Sequence, residues 1–128
     1  MAQQAVEIIL MRQLASSLAL PVFLVDPKGI LLYYNEPAEA ILGLRFSESG
    51  AMDAQEWATR FQPEDQDGKQ IEQEALPLIR ALEERQPASR EFWITDANGR
   101  RHRLNVAAFP LLGVGDRFLG AVAIFTER

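Results

Sequence analysis

The period of apolar positions changes several times along this chain. Over residues 3–19, Val6, Ile9, Leu10, Leu14 and Leu18 recur at helical spacing, and Pro21 ends the run. Ile8 and Met11 carry apolar surface round to a second side, more than one docking stripe needs. A homodimer is the simplest use for that surplus, and a helix packed only on its own sheet is the alternative. Residues 22–25 and 30–34 read as two strands around the turn Asp26-Pro27-Lys28-Gly29. Pro27 presets φ for that turn, and Gly29 can take the positive φ that ends it. Both strands are apolar at nearly every position, which predicts a hairpin covered on both faces, in the middle of its sheet.

Asn35 is a good N-cap for a helix over 36–42, with Pro37 in its first turn and Gly43 past its end. Regularity then fails over 44–70, where Ser47, Gly50, Pro63, Asp65 and Gly68 interrupt the pattern. A short helical turn over 53–60 would set Trp57 and Phe61 to one side, as in the movable wall of a cavity. A second clear helix follows on Ala75, Leu78, Ile79 and Leu82, with Pro77 in its first turn and Pro87 beyond its end. Strands over 91–96 and 102–111 flank the Asn98-Gly99 turn, and a last one runs over 118–125. Strands at both ends and helices between them predict an α+β fold with five antiparallel strands and no βαβ unit.

Composition narrows the function classes. A chain of 128 residues suits one domain that buries roughly two-thirds of its unfolded surface. The division expected is an N-terminal docking or dimerisation helix, 1–19, and a core domain, 20–128. A net charge of −5 argues against a phosphate-binding surface, and Arg100-Arg101-His102-Arg103 is too small a basic cluster to reverse that. The chain has no cysteine, which removes disulfides, thiol nucleophiles and Cys-ligated zinc. Glu7 and Arg12 bracket an apolar run too short for a signal peptide, and nothing approaches the roughly 20 apolar residues of a membrane span. The expectation is a cytoplasmic protein that binds neither nucleic acid nor membrane.

Candidate chemistry is sparse. Acidic residues fall at helix ends and turns, as at Glu83-Glu84, Asp65, Asp67 and Asp116, and no metal-ligating set is visible. One alternative is a small conical α+β enzyme of the isomerase kind, pairing Tyr33 or Tyr34 with Asp26, although Asp26 is also placed to cap its turn. Candidate ligand contacts are Trp57, Phe61, Trp93, Tyr33 and Asn105. The aromatic side chains either stack on a ligand or fill the core, and alternation does not decide which face Trp93 takes. Asn105 lies between Leu104 and Val106, where an amide is either exposed or hydrogen-bonded. Arg60 and Arg103 are candidates for receiving an anion. His102, the single histidine, falls beside the Asn-Gly turn, where a solvated side chain is expected.

An ordered series of short motifs runs through the chain from about Leu18 onward. It comprises Asp26-x-x-Gly29-x-Leu31-x-x-x-Asn35, Pro37-Ala38, Leu42-Gly43, Asp67-Gly68, and Pro77-Leu78-x-Arg80-Ala81-Leu82. Glu91-x-x-x-x-Asp96-x-Asn98-Gly99-Arg100, Phe109-Pro110-Leu111 and residues 120–125 complete it. The series resembles the PAS domains of bacterial sensor and signalling proteins. That resemblance implies a sheet in strand order 2-1-5-4-3, short helices around a cavity on one face, and an N-terminal helix on the other. It places Val6, Ile9, Leu10, Leu14 and Leu18 against the outer sheet or against a second copy. Departures bear on the cofactor: there is no cysteine for a flavin adduct, and His102 is not on the central helix that carries a haem ligand. The acidic residue of the usual Asp-Ile-Thr ending is absent before Ile124-Phe125-Thr126. The function implied is a non-enzymatic sensor or interaction module that signals through dimerisation, a signalling partner, or an output domain missing from this piece. A pure docking module without ligand is the competing expectation.

Overall fold

The structure, a computed structural model, describes residues 6–128. The part of the first helix expected at residues 3–5 lies outside the described residues. Five antiparallel strands form one sheet in the order β2-β1-β5-β4-β3. They are β1 (Val22–Val25), β2 (Leu31–Tyr34), β3 (Ala88–Thr95), β4 (Arg101–Leu112) and β5 (Phe118–Glu127). Helix α1 (Val6–Ser17) packs on the outer face. The connection from β2 to β3 carries α2 (Glu36–Leu42), α3 (Phe46–Ser49), α4 (Ala54–Arg60) and α5 (Pro77–Glu84), which cover the inner face. This is the α+β arrangement that the hydrophobic pattern and the motif series imply. The last three strands run longer than their apolar stretches, through pairs such as Ser89 with Ala107 and Asn105 with Thr126. Backbone pairing continues where side chains are polar, so hydropathy alone marks strand ends too early.

The first hairpin is built as its residues dictate. The Asp26 carboxylate accepts from the Lys28 and Ile30 amides at 2.8 and 2.9 Å, and Gly29 takes φ +85°. Phe23 and Val25 face the inner core, while Val22 and Leu24 face α1, so both faces are covered. Close packing at the centre requires a glycine. A Cβ on Gly120 of β5 would lie 2.1 Å from the Val25 carbonyl oxygen, and its φ of +133° is strained for other residues.

Asn35 caps α2, and it does more than cap. It is fully buried, and its side-chain oxygen accepts from the Ala38 amide at 3.2 Å and the Val22 amide at 2.9 Å. Its amide nitrogen donates to the carbonyls of Ala15 and Leu20, both at 2.8 Å. One carboxamide thus ties α1, β1 and α2 at the end of β2.

Helix α1 docks through Ile8 and Ala15, which are buried against Val22, Leu24, Leu119 and Val122, with Met11 beside them. Val6, Ile9, Leu10 and Leu14 point outward at 51–66% exposure, and Leu18 sits at 36%. The option that these five face the sheet is therefore corrected. Small Ala15 brings the helix backbone close enough for its carbonyl to reach Asn35. Rotation of the helix is further set by Glu7 on Arg117 at 3.1 Å and by Arg12 over the Tyr33 ring at 5.0 Å.

Asn35→Ala would leave the Ala15 and Leu20 carbonyls and the Val22 amide without their buried partner. Chemical denaturation is expected to show a loss of about 2–4 kcal/mol, with earlier proteolysis at the α1–β1 junction. A loss under about 0.5 kcal/mol, the range of an ordinary surface substitution, would contradict this role.

Candidate ligand cavity

A cavity of about 80 Å³ lies between the inner sheet face and the wall formed by α4 and α5. Strand alternation supplies its floor: Phe92 and Ile94 from β3, Leu104 and Val106 from β4, Ala123 and Phe125 from β5, and Phe23 from β1. The space originates at the centre of the sheet, where Ala123 is flanked by Phe23 on one side and Ala108 on the other. Two alanines side by side leave room that larger residues would fill. Trp57, Phe61 and Pro63 form one wall, and Leu76, Pro77 and Leu78 the other.

Every lining side chain is buried, and none is charged. The one polar side-chain atom is the Trp57 indole nitrogen, which donates to the Gly29 carbonyl at 2.7 Å. The interior thus offers dispersion contacts and little else, so a charged or strongly polar guest would lose its hydration without replacement. The wall is irregular in conformation but firmly held. Glu64 exchanges two 2.8 Å backbone bonds with Trp93, the Thr95 amide donates to Phe61 at 2.7 Å, and the Asp53 carboxylate caps α4 at the Glu56 amide. The prediction of a movable wall meets a segment stitched to the β3 edge.

Of the candidate contacts, Trp57 and Phe61 line this space; Trp93, Tyr33 and Asn105 do not. Trp93 lies on the outer face, where the Arg101 guanidinium stacks 4.6 Å from its ring centre. Asn105 is exposed on that face, beyond the area that α1 covers. Tyr33 is turned outward by a bulge: Leu24 pairs with Tyr33 but Val25 with Leu31, so Leu32 is extra and alternation flips. Tyr34 takes the inner place and donates its hydroxyl to the Leu44 carbonyl at 2.8 Å. Burial pushes the Tyr34 pKa up, against a smaller opposing effect of Ser49. With Asp26 committed to its turn, the isomerase-like pairing is not assembled. Arg60 pairs with Glu56 and Arg103 with Glu91, both away from the cavity, and Arg103 holds the Glu91 pKa below its ordinary range.

A site the sequence reading missed lies at the end of the cavity floor. His102 is not solvated. Its ring bridges the Asp96 carboxylate at 2.8 Å and the Glu127 carboxylate at 2.6 Å, with 15% of its side chain exposed. Burial alone would lower the His102 pKa, but hydrogen bonds to Asp96 and Glu127 outweigh it and hold it above its ordinary value. Burial likewise works to raise the Asp96 pKa, and the bonds from His102, Arg100 and Asn98 overcome it, so that carboxyl stays low. The signal was available: His102 shares its strand face with Leu104 and Val106. Among the described residues, no group of three or more His, Cys, Asp or Glu side chains could hold a metal, and no helix is long and apolar enough to cross a membrane.

A sheet of this order, helix-walled around an apolar cavity on one face and helix-backed on the other, defines the PAS class of α+β module. The family model described as "PAS domain" matches residues 19–128, and the chain belongs to that family. Solved structures agree on the fold. A PAS domain from Colwellia psychrerythraea superposes with TM-score 0.68 at 14% identity, over 95% of this chain and 97% of that one. The PAS domain of Bordetella pertussis BvgS gives 0.63 at 15% identity, over 95% and 85% of the two chains. The LOV protein of Rhodobacter sphaeroides gives 0.71 at 13%, over 94% and 67%. A comparison with curated proteins finds no match.

Trp57→Phe removes the indole donor and strands the Gly29 carbonyl while keeping the wall aromatic. Stability by denaturant titration is expected to fall by about 1–2 kcal/mol. An unchanged midpoint would show that this bond does not hold the wall.

Proposed function

We propose that this chain is a non-enzymatic PAS sensor or interaction module whose cavity takes a small, uncharged, apolar molecule. Occupancy would be relayed through contacts of α1 with a second copy or through a signalling partner. The observation that carries the reading is the cavity: lined only by buried, uncharged side chains, between the sheet and a helical wall tied to the β3 edge. A ligand that favours one arrangement of that wall shifts the module only as far as its differential affinity allows.

Larger cofactors do not fit these residues. One similar structure is a light-oxygen-voltage domain studied with a flavin analogue. This chain has no cysteine, and about 80 Å³ without a free polar group does not suit a flavin ring. Haem lacks an axial ligand, since both His102 nitrogens are engaged by carboxylates and His102 does not line the cavity. The small volume also favours a second reading, a docking module whose cavity stays empty. A cavity of about 150 Å³ lined by apolar side chains admits benzene, so this one takes only smaller guests unless its wall expands.

Native mass spectrometry on protein purified gently from its host tests the first reading. A reproducible added mass on the chain is expected; the bare polypeptide mass in every preparation would favour the docking module. The dimer is tested by Leu10→Glu combined with Leu14→Glu. These residues are exposed in the single chain, so charge there spares the fold, whereas deleting α1 would also uncover Val22 and Leu24. Sedimentation should show a wild-type dimer and a monomeric variant, and the variant should still unfold cooperatively, lower in melting temperature only by the stabilisation that the dimer contact supplied. A monomeric wild type, or a variant that still dimerises, would remove α1 from the relay.

A further inference from the structure

One imidazole joins the β3–β4 turn to the end of β5. The two nitrogens of His102 point opposite ways, Nε2 to Asp96 at 2.8 Å and Nδ1 to Glu127 at 2.6 Å, so the ring bridges two elements. Only the imidazolium donates through both nitrogens; a neutral ring serves one carboxylate and turns a lone pair toward the other. The two carboxylates are unequal. Asp96 is 5% exposed and fixed by the Asn98 and Arg100 amides at 2.8 and 2.9 Å, whereas Glu127 is 49% exposed. A neutral ring therefore keeps Asp96 and lets Glu127 return to water.

We propose that Asp96, His102 and Glu127 form a pH-operated latch: protonated His102 pins the end of β5 to the β3–β4 turn, and deprotonation releases it. The charged groups that bear on the ring are Asp96 from the turn and Glu127 from β5. The neighbouring Arg101 and Arg103 of β4 pair with Glu64 and Glu91, and Arg128 also pairs with Glu91. The latch holds the last rungs of the sheet, where Glu127 lies opposite Leu104 and the Arg128 amide donates to the Arg103 carbonyl at 2.8 Å. Ile94, which pairs with His102, and Leu104, two residues on, both line the cavity floor. The latch is independent of what the cavity binds.

The sign follows from the charged form being the one favoured by folding. The contact is fully present below the ordinary His value of about 6.5 and is lost as pH rises through the raised value. Stability falls over the same window. The experiment is an NMR titration of the whole chain from about pH 5 to about pH 9, following the His102 ring and the Glu127 and Arg128 amides. The expected result is a His102 midpoint above about 6.5, with both amides shifting at that same midpoint. Protection of the Arg128 amide against exchange, corrected for intrinsic rate, should fall with them. Glu127→Gln should lower the His102 midpoint and uncouple the two amides from it. A midpoint at or below the ordinary value, amides that ignore the ring, or a Glu127→Gln variant that titrates like wild type would each overturn the latch.

Discussion

The fold depends on satisfying four polar groups at the place where α1, β1, β2 and α2 meet. Two carbonyls at the end of α1 and beyond it, and two amides at the starts of β1 and α2, are removed from water there. Asn35 answers all of them with one side chain, two donors and one doubly accepting oxygen. No apolar residue fills that role, and aspartate would set an acceptor against two carbonyls. Because the bonds are made on folding, the outer helix and the inner helical connection are fixed relative to the same strand. That anchor lets a small sheet carry a core on each face.

The two faces then take different chemistry from the same strands. Outside, Ile8, Ala15 and Met11 of α1 pack over Val22 and Leu24, and the helix's remaining apolar row is exposed among the described residues. Inside, Ala123 and Ala108 at the centre of β5 and β4 leave room beneath a helical wall that backbone bonds to β3 hold in place. β5 connects these regions: it carries Val122 under α1, Ala123 under the cavity, and Glu127 at the histidine bridge. These positions share one strand, hydrogen-bonded to β1 on one side and to β4 on the other.

Much of this is legible in the sequence. The apolar hairpin, the Asn35 cap, the Pro77 helix start and the Asn98-Gly99 turn each have a local cause, and together they set the strand order through the family resemblance. What escaped the sequence depended on facing and register. Tyr33 and Tyr34 exchange sides because of one extra residue at Leu32, and a bulge leaves no mark on hydropathy. Trp93 and Asn105 point outward because α1 covers only part of the outer sheet, which depends on where a helix docks. The α1 stripe was legible as apolar but not as outward, since the small Ala15 contact that orients the helix carries little hydrophobic signal. The turn beside His102 suggests a solvated ring although alternation puts it on the inner face; its partners come from positions 96 and 127, too far apart in sequence to suggest a pair.

Whether the space over Ala123 receives small apolar molecules, as proposed, is open to measurement. Methyl NMR during titration with short hydrocarbons of increasing size tests it most directly. Saturable shifts of the Ala123, Leu104 and Val106 methyl groups are expected for the smallest probes, failing as the probe outgrows the cavity. Shifts confined to the exposed leucines of α1, or none that saturate, would contradict it.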